Sequence, residues 1–223
     1  MQAAEPRFRP ALIGNGPKAL VNLIDTNKLL EKGQRNGALT FDCFVASWGG
    51  ALNPATYRVT PESEALEKEV MSALRRCRFI PATYNGKPAG VSFLGTVLFV
   101  VADGKPHLRI YANQNRDDIE KGNDFIAPQL IAETIHGVGP AQSALEKARI
   151  TRQKGVVELA ITVDANGNQK DIKVLSEDPP GFNFGRASLT VLSGAKYIPG
   201  FRDGHPVACT FDRHDWFWTV YRR

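Results

Sequence analysis

The sequence predicts an α+β protein built from two tandem units, each a small antiparallel sheet of about three strands packed with two helices. One observation is a pattern that stands twice at a constant spacing of 118 residues. Phe79-Ile80-Pro81, Gly86-Lys87-Pro88, Val91 and Phe93 recur as Tyr197-Ile198-Pro199, Gly204-His205-Pro206, Cys209 and Phe211. Between residues 10 and 99, fourteen positions are identical to those 118 further on, among them Pro10, Leu12, Ile13, Gly37, Gly49 and Phe99. They fall mostly on glycine, proline and apolar residues, where turn geometry and packing restrict the choice. The other observation is the alternation of helical and strand periods in the same order within each copy. Together these predict a tandem duplication with units of about 95 residues. The boundaries read as 7–112 for the first unit, 113–124 for a polar linker and 125–223 for the second.

In the first unit, Gly16-Pro17 opens a helical pattern with Leu20, Leu23, Ile24 and Leu30 near one face, ending by Gly33. Leu39, Phe41, Cys43 and Val45 then share one parity of a strand that starts at Gly37. Ser47-Trp48-Gly49-Gly50 is its turn, and 55–59 the return strand. Thr60 or Ser63, followed by acids, announces a helix with the stripe Leu66, Val70, Ala73 and Leu74. A long strand runs from Val91 to Val101. Asp103-Gly104 then predicts a tight hairpin to an added strand at 107–112.

The second unit repeats this order. A helix over 141–153 precedes the strand of Val157, Leu159, Ile161 and Val163. A return strand carries Ile172 and Val174, a helix covers 184–195, and a last strand runs through Cys209 and Phe211 to Phe217. Arg213 and Asp215 break the apolar parity of that strand, so a bulge or bend is expected there.

Composition narrows the function. With 43% apolar and 23% charged residues the chain reads as an ordinary globular protein, and no apolar run reaches the length of a membrane span. The net charge of +5 is spread out; Arg75-Arg76-Cys77-Arg78 and Arg222-Arg223 lack the aromatic motifs of a nucleic-acid reader. The short polar start Met1 to Pro6 reads as a stub left after a leader was removed. Cys43 and Cys209 look inward and read as buried thiols, with a Cys43–Cys77 bridge as the alternative.

No catalytic constellation is found, and no metal or cofactor is expected. Asp164-Ala165-Asn166-Gly167 has its glycine in the wrong place for a calcium loop and reads as a hairpin turn. His205, Cys209 and His214 lie along one strand rather than at zinc-ligand spacing. Trp48 stands at a hairpin tip, where it either packs on a neighbouring element or marks a contact surface. Trp216, Trp218 and Val220 share one parity at the end of the chain, as an inter-unit contact or as part of a binding edge.

The second unit resembles the C-terminal domain of TonB, the periplasmic part of a bacterial energy transducer. The residues that carry the resemblance are Gly155 to Asp164, Asn166-Gly167, Ile172 and Val174, Ala187 and Leu192, Tyr197-Ile198-Pro199-Gly200, Gly204-His205-Pro206-Val207 and Phe211. The first unit is similar but weaker, with Trp48-Gly49-Gly50 at the hairpin and Phe79 for the tyrosine. The resemblance implies a three-stranded antiparallel sheet backed by two helices, a periplasmic location in a Gram-negative envelope, and a binding rather than catalytic role. The ligand would be an extended segment, such as the TonB box of an outer-membrane transporter, held beside the last strand by strand addition. Candidate contact residues are Trp48, Tyr197, Val207, Phe211, Trp216 and Trp218, with the edge at 207–211 or 216–220. No membrane helix or proline-rich spacer stands in this chain. The rival expectation is a structural envelope scaffold whose edges pair with each other as a homodimer.

Overall fold

The computed structural model describes residues 8–120, 124–135 and 154–217. It is an α+β protein of antiparallel sheets. In the first half, β2 (Gly37–Val45), β3 (Ala51–Tyr57), β6 (Val91–Ala102) and β7 (Lys105–Tyr111) form a sheet in the order β3-β2-β6-β7. Leu39, Phe41, Cys43 and Val45 face a core shared with Phe93, Val97 and Phe99. The Phe41 ring lies across β6 at Gly95, where a Cβ would collide with it. Each fully buried Phe or Leu here contributes about 2–3 kcal/mol of apolar burial.

Helices close the same face. The helix expected across 16–33 is two short ones, α1 (Leu20–Leu23) and α2 (Thr26–Glu31). Asp25 divides them because its carboxylate accepts the Lys28 N–H at 2.9 Å and starts the second helix. α3 (Glu64–Leu74) buries Leu66, Val70, Ala73 and Leu74, the stripe read from the sequence. Its cap differs from expectation. Ser63 makes no capping bond, and the Gln34 side chain accepts the Leu66 N–H at 3.0 Å instead. The return strand begins at Ala51, earlier than expected.

In the second half, β10 (Gly155–Val163), β11 (Gln169–Asp178) and β15 (Cys209–Phe217) form a sheet in the order β11-β10-β15. Its core holds Val157, Leu159, Ile161, Val163, Tyr197, Phe211 and Phe217 under α5 (Phe184–Leu192). The helix expected over 141–153 lies outside the described residues. The expected bulge at Arg213 and Asp215 is absent. β15 keeps register with β10 from Cys209↔Val163 to Phe217↔Gly155, and the two charges tolerate the inward parity because they pair with each other at 2.8 Å.

Small strands complete each half. β1 (Phe8–Arg9), β4 (Ala82–Tyr84) and β5 (Lys87–Ala89) stand in the order β1-β4-β5. β8 (Phe125–Ile126), β13 (Gly200–Arg202) and β14 (His205–Val207) stand in the order β14-β13-β8, and β9 (Gln129–Leu130) pairs with β12 (Tyr197–Ile198).

Several pairings occur twice, 118 residues apart. β2 and β6 run from Gly37↔Phe99 to Val45↔Val91, the register of β10 with β15. Ala82↔Ala89 has the counterpart Gly200↔Val207. Gly49 and Gly167 both have positive φ, +86° and +75°. Each accepts an N–H at its carbonyl, from Phe79 at 2.8 Å and from Tyr197 at 3.0 Å. At both, a Cβ would strike the carbonyl oxygen of that same aromatic residue. Only glycine meets both demands.

The halves share side chains. Ile131, Ile198 and Phe201 belong to the first core, and Leu94 to the second. The Gln129 amide bonds the Ala11 backbone both ways, at 2.7 and 2.9 Å. The stretch expected as a linker is bound into this arrangement. Asn113 donates to the Phe125 carbonyl at 2.9 Å, Gln114 donates to the Phe41 carbonyl at 3.0 Å, and α4 (Arg116–Glu120) comes next.

Candidate partner-binding edge

An edge strand presents a row of unpaired backbone groups, so the outer edge of the last strand in each sheet is the first place to look for a partner. In the first sheet that edge is filled. β7 pairs along β6 from Ala102↔Lys105 to Thr96↔Tyr111. Asp103 and Gly104 turn the chain with φ of 51° and 72°, as a primed hairpin turn requires. β15 has β10 on one side and, among the described residues, no strand on the other.

Beside this edge, the face that β10 and β15 share packs on the first half. The Tyr57 ring lies 4.9 Å from His214 and 5.7 Å from Trp216, centroid to centroid. Arg58 donates to Glu158 at 2.7 Å and stands 3.3 Å from His214, which is 3.4 Å from the same carboxylate. Burial, with Arg58 beside it, pulls the His214 imidazole below its usual range. A small cavity of about 50 Å³ separates Thr210 and Asp212 from Asn113, Gln114 and Asn115.

Asp42 is a second charged group that the first half brings to this contact. Burial raises its carboxyl to about 6, with Asp215 adding to the rise; Arg213 and a hydrogen bond from Trp216 pull the other way. Arg213 lies among Asp215, Tyr197 and Asp42, and these partners hold its guanidinium above the ordinary range although burial acts against it. A cleft of about 360 Å³ opens beside this cluster, between α5 and β15, with Ile135, Ser188 and Val191 in its walls.

The sequence-predicted contact residues divide into groups. Tyr197 is fully buried, sits edge-on to Phe211 at 6.0 Å, and reaches Gln169 with its hydroxyl at 3.5 Å. Burial pushes its phenol up to about 12. Phe211 is buried in the same core. Both are corrected from surface contacts to core residues, because their parity turns them under α5. Val207 is half-buried in β14, and Trp216 packs on Tyr57. Trp48 is 57% exposed in the first half with the Arg78 guanidinium over its ring. Trp218 lies outside the described residues.

Asp42, Tyr57 and Arg58 were missed. The signal for them is the even parity of the first sheet, where Phe44 and Leu94 are too apolar for a face left to water. Among the described residues no three His, Cys, Asp or Glu side chains gather as a metal site. Cys43, Cys77 and Cys209 are free thiols, and burial raises all three.

Comparison with known proteins gives one family. Residues 146–217 match the family model of the Gram-negative bacterial TonB protein C-terminal domain. The match takes in β10, β11, α5 and β12 to β15. No curated protein matches the chain. Among the described residues no helix is long and apolar enough to cross a membrane.

Proposed function

We propose that this chain is a non-enzymatic, TonB-like periplasmic module that takes an extended segment of a partner protein by strand addition along β15. The observation that carries the reading is the state of the edge. Within the stretch that matches the TonB C-terminal family, the last strand lacks a second neighbour among the described residues. Backbone hydrogen bonds along it would supply affinity, and the cleft beside Arg213 and Ser188 a place for side chains. The partner class that the family implies is a segment of an outer-membrane transporter.

The twice-met pairings support reading the first half as a divergent second copy of the same unit, in which β7 already fills the position of the added strand. Tyr57 and Arg58 pack on the face beside this edge, so a ligand strand at β15 would lie next to the contact between the halves. Binding would therefore be coupled to the docking of the two halves.

The test uses short extended apolar peptides, including TonB-box-like ones, and the same peptides N-methylated at alternate residues. N-methylation removes the donors a strand needs. The proposal expects binding that is lost on N-methylation at one parity. Equal binding of methylated and unmethylated peptides would contradict it.

A further inference from the structure

A surface that the second half buries is left outward in the first. Ile198 is fully buried within the first half's core, whereas Ile80, its counterpart 118 residues earlier, is 40% exposed. Beside Ile198 the second half carries Asn166 and Lys196, and the Lys196 amine is held by Asn168 at 2.8 Å. The first half carries Trp48 and Arg78 at the matching positions. The Arg78 guanidinium carbon lies 4.5 Å above the Trp48 ring, and one N–H reaches the Cys77 carbonyl at 3.3 Å. Among the described residues no carboxylate forms an ion pair with it. Next to it a cleft of about 460 Å³ is lined by Gly14, Pro17, Lys18, Phe79 and Ile80.

The chain that builds this surface contains no acid. Residues 8–24 hold Arg9 and Lys18, residues 70–102 hold Arg75, Arg76, Arg78 and Lys87, and neither stretch has an Asp or Glu. A guanidinium is planar, and one held over an indole keeps donors in that plane to fork a carboxylate. The adjoining cleft offers Ile80 and Pro17 to an aliphatic side chain.

We propose that this face docks an acidic segment of a partner protein, with a carboxylate on Arg78 and a neighbouring aliphatic residue in the cleft. A second copy of this chain would bring its own basic face and be repelled. The site is separate from β15 and does not depend on strand addition.

The test titrates the full chain, at low and high salt, with a short peptide alternating Glu and Leu and with its Lys and Leu counterpart. Vesicles of phosphatidylglycerol serve as a third probe. The acidic peptide is expected to bind, to shift the Trp48 indole N–H in NMR, and to weaken with salt. Arg78→Gln and Trp48→Ala each weaken it about tenfold, and Arg78→Lys falls between, because lysine keeps the charge without the planar fork. Circular dichroism checks that the variants are folded. Unchanged binding by Arg78→Gln, equal binding of the basic peptide, shifts confined to 209–217, or binding of vesicles without peptide would each overturn the proposal.

Discussion

β6 carries β7 along its outer edge, whereas β15 has β10 alone among the described residues. The register that joins each to its inner neighbour is the same, displaced by 118 residues. The two strands therefore differ at their outer edges and not in their inner pairing. In the first half a type I′ turn at Asp103-Gly104 folds the chain back and consumes the edge in cis. In the second half the edge has no backbone partner among the described residues, and first-half side chains pack on the adjoining face. A ligand strand can join only an edge that lacks a backbone ladder, and for that reason the proposed ligand lies at β15.

The largest effect bears on the likeness of the halves. Gly49→Ala and Gly167→Ala each place a Cβ against a backbone carbonyl at positive φ, and each is expected to cost about 3 kcal/mol or more. Urea unfolding checks this. A mild Gly49→Ala beside a severe Gly167→Ala would break the comparison.

A pH effect comes next. With a carboxyl raised from 3.8 to about 6, folded Asp42 binds its proton more tightly than the unfolded chain. Its contribution is present below pH 3.8 and is lost as pH rises through about 6, amounting to at most about 3 kcal/mol. The lowered His214 acts oppositely, favouring the folded state at higher pH. Asp42→Asn leaves His214 titrating, so the difference in melting between variant and parent isolates Asp42. The variant is expected to melt higher than the parent at pH 8 and close to it at pH 4. The same difference at both pH values would remove Asp42 from the contact.

The smallest effect concerns competition at the edge. Glu158→Gln weakens the ties of Arg58 and His214 to the second sheet with little loss of packing. If the first half competes for β15, peptide binding tightens about threefold, the scale of a partly exposed ion pair. Calorimetry with the apolar peptides measures it, and weaker binding would count against competition.

Much of this arrangement could be read from residues. The glycines at 49 and 167, the Asp103-Gly104 hairpin and the α3 stripe obey local rules of turn and period, so their place is set by the chain itself. Asp25 also obeys a local rule, but its capping oxygen was hidden inside an apolar stripe that continued past it. Arg213 and Asp215 were misread for a different reason. Parity alone says that an inward charge must bend the strand; Arg213 and Asp215, two apart on one face, instead pair locally, and only tertiary contact sets Asp42 beside them. Tyr197 and Phe211 are aromatics near and on the last strand, and the core takes both. Of the candidate edge, the strand was legible, and the first-half side chains set against it were not.

The most direct test of strand addition at β15 is an NMR titration of the isotope-labelled chain with the apolar extended peptides, covering every backbone amide. Shifts are expected along 209–217, with secondary changes at Tyr57 and Arg58 as the first half gives way, and none along β6 and β7. Shifts along β7, or none on β15 at saturating peptide, would contradict it.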